Sequence, residues 1–267
     1  MDLCVLHWVL RFTFFNFMAE KRIALVTGST RGIGKGIALK LAREGIIPVL
    51  NYRSDEASAR LALEEVTGFA PEARAIQADV SKSEEARYLV EEVIKAFGHL
   101  DILVNNAGPY LIRSLFESSD EEWHRMIDGN LSSAFYCTKY ALRSMRPRQS
   151  GHIINIGALN AEVPMAIGVF EAPAYYIAKA GMMMMTKYLA RSEGKYQIRV
   201  NAINPGFIET EEYAHFKEEN KEKWKKLIPL GYLGTPNDIA ELVSFLISDK
   251  ARYITGAIIH VHGGMWV

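Results

Sequence analysis

The chain has 267 residues, 49% of them hydrophobic, with 31 basic side chains balanced by 31 acidic ones. That length is enough for one large domain or two small ones with a substantial core. The zero net charge removes any compositional reason to expect a nucleic acid or an acidic membrane surface as partner.

Residues 1–17, "MDLCVLHWVLRFTFFNF", are apolar and aromatic, but His7 and Arg11 interrupt them and they fall short of the roughly 20 residues of a membrane span. No cleavage-site pattern follows, and Met18 opens "MAEKRIALVTG", an ordinary cytosolic start. Residues 1–17 therefore read as a dispensable, disordered extension or a misplaced start, and 18–267 as a single domain. The two cysteines, Cys4 and Cys137, make no disulfide framework and have no metal-ligand spacing. A reducing, cytoplasmic setting without a metal is expected.

From Lys21 onward, short β-branched runs alternate with amphipathic segments: "RIALVTG", "IPVLNYR", "ARAIQADV", "LDILVNNAG", "HIINIG", "IRVNAINPG" and "AIIHVHGG". Strands covered by helices on both faces read this way. Ser81 and Glu84 have the spacing of a capping box before "EEARYLVEEVIKAFG". Gly45 closes "KGIALKLAREG", and Thr235, Pro236 and Asp238 open "IAELVSFLIS". The alternation predicts a doubly wound α/β fold of the Rossmann type, with about seven parallel strands flanked by helices on both faces.

"LVTGSTRGIGKGIA" follows the first strand and runs directly into a helix. Gly28, Gly32 and Gly34 stand where a tight turn brings backbone amides and a helix N-terminus against a pyrophosphate. The second strand ends in Asn51, Tyr52 and Arg53, with no carboxylate until Asp55 to accept from a ribose hydroxyl. With Arg31 inside the glycine loop, two guanidinium groups suit a 2′-phosphate, so NADP (NADPH) is expected over NAD.

Jointly, these motifs resemble the short-chain dehydrogenase/reductase family over residues 22–264. The T-G-x-x-x-G-x-G pattern is Thr27, Gly28, Gly32 and Gly34, enclosing Ser29, Thr30, Arg31 and Ile33. N-N-A-G is Asn105, Asn106, Ala107 and Gly108, and Y-x-x-x-K is Tyr175 and Lys179. Asp79 and Val80 match the adenine-contacting D-V, Asn130 in "DGNLSSAF" matches the helix asparagine, and "NPGFIET" places Pro205, Gly206, Ile208 and Thr210 beside the nicotinamide. The nearest branch resembles the 3-oxoacyl-carrier-protein reductases, judging by "NYRSDEA" and the ending "YITGAIIHVHGG", where His262 replaces a common aspartate. No catalytic role is assigned to His262.

The resemblance implies that Tyr175 is the acid in reduction, that Lys179 also holds the nicotinamide ribose, and that Asn130 supports a water relay behind Lys179. Four residues apart, Tyr175 and Lys179 share one helix face. A lysine cation and the positive nicotinamide nearby are expected to lower the tyrosine from its usual value of about 10. Tyr176 points about 100° away around the helix and is the poorer candidate. Met182 to Met185 are read as packing or a subunit interface.

The family's serine, whose hydroxyl bonds the substrate oxygen, is absent: its positions read Gly157 and Ala158. Losing such a donor costs about 100- to 1000-fold in rate. Three explanations stay open. Asn160 stands in for the serine; the substrate is a pterin C=N, as in quinonoid dihydropteridine reductases; or the chain binds NADP with vestigial chemistry. The charged segment 207–233 is expected to form a lid over a small-molecule substrate, with Phe216, Trp224 and Leu227 inward. "GVFEAPAYY" is expected to line the same pocket. The resemblance also implies a homotetramer or homodimer.

Overall fold

The computed structural model describes residues 21–161, 171–211, 213 and 218–265, apart from the side chain of Asn160. The extension 1–17, Phe216 and the first three residues of "GVFEAPAYY" lie outside the described residues.

The seven strands are β1 (Ile23–Val26), β2 (Ile47–Tyr52), β3 (Arg74–Gln77), β4 (Ile102–Asn105), β5 (Gly151–Ile156), β6 (Ile198–Pro205) and β7 (Ile258–Val261). They form one sheet in the order β3-β2-β1-β4-β5-β6-β7, every pair parallel. Alternation along β1 explains the two cores. Ile23 and Leu25 pack with Val90, Ile153 and Val200 on one face, and Ala24 and Val26 with Ile37, Leu41 and Ile239 on the other. Each fully buried Leu or Ile contributes about 1.5–3 kcal/mol.

The helices are α1 (Gly32–Arg43), α2 (Glu56–Thr67), α3 (Ser83–Phe97), α4 (Asp120–Ile127), α5 (Ser133–Arg148), α6 (Pro173–Glu193), α7 (Glu218–Leu227) and α8 (Pro236–Leu246). Gly45 follows α1 with φ +78°, the left-handed turn expected of it. Thr235 and Asp238 form the expected capping box of α8. The Ser81–Glu84 box does not form. Ser81 Oγ donates instead to the Asp79 carboxylate at 2.6 Å, a charged acceptor two residues away, and Glu85 accepts the Asp79 amide at 2.7 Å. The helix starts two residues later, at Ser83, with no side-chain cap.

The strand order reverses between β1 and β4, where α/β sheets open a crevice at the carboxyl ends of the strands. The glycine loop after β1 and the N-N-A-G loop after β4 meet at that crevice. Thr27 Oγ1 accepts the amides of Asn106 and Ala107 at 3.0 Å each, and Asn106 Nδ2 donates to the Gly28 carbonyl at 2.9 Å.

Candidate active site

A cleft of about 1030 Å³ runs across the carboxyl ends of the strands, from the glycine loop to α6. At its phosphate end, Gly28 and Gly32 have φ of +60° and +54°, and a Cβ on Gly34 would come within 2.5 Å of the Gly28 carbonyl oxygen. Only glycine fits this turn, which presents the first amides of α1 to the cleft. A carboxylate already occupies that position: Glu211 Oε2 accepts the Gly32 amide at 2.9 Å. The loop is built to take an anion.

The expected cofactor residues line the cleft, with two exceptions, Ser29 and Gly34. Ser29 is fully buried behind the loop, donating to the Val26 carbonyl at 2.7 Å and accepting the Asn51 amide at 3.1 Å. Arg31, Arg53, Asp79 and Val80 are among the residues lining the cleft. Asp55, the first carboxylate after β2, caps α2 by accepting the Ser58 amide and hydroxyl at 3.0 and 2.6 Å. Those bonds, and then the Arg31 charge, hold its carboxyl below the usual range.

Helix α6 carries Tyr175 and Lys179 on one face, as expected. A ladder of buried amides and hydroxyls sets its position. Asn105 Nδ2 donates to Asn155 Oδ1 at 2.8 Å, and Asn155 Nδ2 to Thr186 Oγ1 at 2.8 Å. Thr186 lies about two turns beyond Lys179 on α6. Lys179 is 3% exposed, its Nζ donating to the Ile156 carbonyl at 2.8 Å and lying 5.7 Å from the centre of the Tyr175 ring.

Burial pushes Lys179 down to about 7 and pushes Tyr175 up. Without the nicotinamide, desolvation penalises both charged forms more than the lysine attracts the tyrosinate. The proton stays on Tyr175, the state an acid needs.

Asn130 sits in a π-helical turn (Asp128–Ser132) between α4 and α5 and does not reach the cleft wall. Its Nδ2 donates to the Pro109 and Met126 carbonyls at 2.9 and 3.0 Å, while Oδ1 is buried without a partner among the described residues. A Cβ on Gly108 would lie 2.0 Å from that oxygen.

Ala158 is buried against Tyr175, Tyr176 and Met183. Gly157 could not carry the missing serine, since a Cβ there would meet Asn204 Oδ1 at 2.0 Å and Met183 Cε at 2.7 Å. Asn160 follows in the short turn Leu159–Ala161, and its side chain lies outside the described residues.

A model described as enoyl-(acyl carrier protein) reductase matches residues 28–266. The 3-oxoacyl-[acyl-carrier-protein] reductase FabG of Staphylococcus aureus is 41% identical over 250 residues, covering 94% of this chain and all of the relative. A Serratia marcescens short-chain dehydrogenase/reductase variant superimposes with a TM-score of 0.85 at 33% identity, over 91% of this chain and 97% of its own. The chain belongs to the short-chain dehydrogenase/reductase family. A variant of actinorhodin polyketide ketoreductase solved with NADPH has a TM-score of 0.86 at 32% identity, covering 92% of this chain and 97% of its own. This short-chain dehydrogenase/reductase is an NAD(P)-dependent oxidoreductase.

The reductase's 207–233 segment contains α7 and a small core of its own. Phe207 stacks on Trp224 at 5.5 Å, and Tyr213, Ile228 and Leu233 complete it. Trp224 and Leu227 both line the cleft, as expected, and Ile228 is buried in the small core behind them. The segment's ends are clasped by Glu209 N to the Gly234 carbonyl at 2.7 Å and Gly234 N to the Phe207 carbonyl at 3.0 Å. His262 Nδ1 accepts the Gly264 amide at 3.2 Å, a turn-forming bond. Met182 and Met183 are buried packing, whereas Met184 is exposed.

Sequence reasoning did not find Tyr110, Glu211 or the Asn105–Asn155–Thr186 ladder. The N-N-A-G motif already contained Asn105, but nothing in the chain order pairs it with Asn155 or Thr186.

Among the described residues no helix is long and apolar enough to cross a membrane, and no three metal-ligating side chains converge.

Proposed function

We propose that this enzyme reduces the ketone of 3-oxoacyl thioesters with NADPH, Tyr175 delivering the proton to the oxygen. The observation that carries the reading is the neutral, half-buried Tyr175 beside Lys179, opening into the same cleft as the anion-binding glycine loop. When bound, the nicotinamide supplies the hydride to the carbonyl carbon. Gly28, Thr30, Gly32 and Ile33 hold the pyrophosphate, and Arg31 and Arg53 take the 2′-phosphate. Asp79 and Val80 bound the adenine; Asn106, Ala107, Gly108, Pro205, Gly206, Ile208 and Thr210 enclose the nicotinamide half. Lys179 holds its ribose and keeps the Tyr175 hydroxyl aligned. Asn130, whose Oδ1 has no partner among the described residues, would hold the water of the relay behind Lys179.

The family model's description and the FabG relative share an acyl group on a carrier protein and differ in the bond reduced. The whole-length FabG match and the ketoreductase structure favour the carbonyl. They do not favour a pterin C=N or a vestigial site.

The segment 207–233 acts as the substrate lid. We also place the enzyme in the cytoplasm as a homotetramer or homodimer, paired through α5 and α6, where Phe135 and Tyr188 are 48% and 70% exposed.

The test is steady-state oxidation of NADPH and NADH with a short 3-oxoacyl thioester, wild type against Tyr175→Phe. Turnover preferring NADPH and lost at least ~100-fold in the variant supports the reading. Turnover unchanged by Tyr175→Phe, or seen only with a pterin, rejects it.

A further inference from the structure

Helix α7, "EENKEKWKKL", is charged along most of its length, yet the residues it contributes to the cleft wall are Trp224 and Leu227. Three positions apart, they share one helix face. Phe207 and Met265 line the cleft with them, so this wall carries no charged side chain. It is braced from behind. Phe207 stacks on Trp224, Tyr213 lies 5.4 Å from Trp224 between ring centres, and Ile228 and Leu233 close the core. The turn before Met265 is fitted to the lid: Gly263 has φ +62°, a Cβ there would meet Ile228 Cγ2 at 2.6 Å, and its carbonyl accepts the Leu230 amide at 3.1 Å.

The wall begins beside the reacting end of the cleft. Phe207 follows directly on β6, which pairs with β5, and β5 leads into Ala158. There the rings of Tyr110 and Tyr176 pack on Tyr175 at 4.9 and 5.3 Å. An apolar surface thus continues from the acid along the inner face of the lid. A polyhydroxylated substrate laid on it would bury hydroxyls at a cost. A hydrocarbon chain would gain about two- to fourfold in affinity for each methylene taken out of water.

We propose that Phe207, Trp224, Leu227 and Met265 hold the acyl chain of the substrate beyond its 3-oxo group, so that the enzyme selects medium-length chains over the four-carbon acetoacetyl group. The inference rests on the carbonyl-reductase reading and names the substrate class within it. It also bears on Ala158, which offers the substrate oxygen no hydroxyl. Binding energy from a chain remote from the reacting carbon holds the carbonyl against Tyr175 and offsets the missing hydrogen bond.

The experiment is steady-state reduction of acetoacetyl-CoA and 3-oxooctanoyl-CoA with NADPH by wild type, Leu227→Glu, Met265→Glu and the conservative Leu227→Met. Leu227 is 36% exposed, so its replacement leaves the lid core around Trp224 in place. The two glutamates charge the wall from two separate segments of the chain, and the unfolding midpoint verifies each fold. Wild-type kcat/KM is expected to be at least about tenfold higher for the eight-carbon thioester, a partial burial of its four extra methylenes. Each glutamate is expected to cut that ratio at least about fivefold, and Leu227→Met to keep it. A lid that is merely deformed loses rate with both thioesters alike and leaves the ratio unchanged. Equal kcat/KM for the two chains in wild type, or a ratio that neither glutamate moves, overturns the acyl wall and leaves the reductase reading standing. Wild-type protein that reduces neither thioester overturns both.

Discussion

The Glu211 carboxylate binds the Gly32 amide at 2.9 Å, so a residue beyond β6 caps the helix that the cofactor's pyrophosphate is proposed to use. Pyrophosphate and carboxylate compete for the same positive helix end, and Glu211 must swing away when the cofactor enters. Glu211→Gln removes the competing charge. NADPH affinity is expected to rise about three- to tenfold, since such an end charge contributes about 0.3–1 kcal/mol and its repulsion of phosphate is relieved as well. Fluorescence titration measures this, and equal or weaker binding by the variant rejects the competition.

The proposed preference for NADPH predicts that cofactor choice is set where β2 ends. Arg53 and Arg31 line the cleft there, and Asp55 is committed to capping α2. Arg53→Glu is expected to lower the NADPH-over-NADH preference in kcat/KM by about 10- to 100-fold, the loss of one charge-assisted phosphate contact plus a new repulsion. A ratio unchanged by Arg53→Glu places the discrimination elsewhere.

Much of this was legible in the sequence, for identifiable reasons. β1, β4 and β5 are buried on both faces, so their apolar runs announced parallel strands. The glycine loop was legible because only glycine tolerates its φ values. The cap of α3 was misread because Asp79, a stronger acceptor, captures Ser81 locally. The phenol cluster was hidden for a different reason. Tyr110 and Tyr175 lie on separate crossovers of the sheet, and no local pattern encodes a contact between them. Tyr176 was set aside on helical angle, yet its ring and that of Tyr110 both pack on Tyr175, at 5.3 and 4.9 Å.

The amide ladder gives a stability prediction. Thr186 Oγ1 accepts from Asn155 Nδ2 at 2.8 Å and donates to the Met182 carbonyl at 2.9 Å, fully buried. Thr186→Val preserves shape but leaves the Asn155 amide without an acceptor. A loss of about 1–3 kcal/mol in unfolding free energy is expected. Denaturant titration checks it, and a change below about 0.5 kcal/mol shows that water replaces the hydroxyl.

Lys179 links cofactor binding to pH. Burial holds its pKa at about 7 in the free protein, so the ammonium is fully present below that value and is lost as pH rises through it. In the proposed site, an anionic cofactor whose ribose accepts from the ammonium would restore the charge and take up a proton. At pH 8 a group of pKa ~7 is about one-tenth protonated, so NADPH binding should take up about 0.9 proton. Affinity should then fall by up to about tenfold per pH unit between 7 and 9. Calorimetry in buffers of different ionisation enthalpy reads the proton directly. Lys179→Met should abolish both the uptake and the slope, because it removes the titrating group while leaving the glycine loop intact. Uptake that persists in the variant assigns the proton to another group and removes Lys179 from the cofactor's electrostatics.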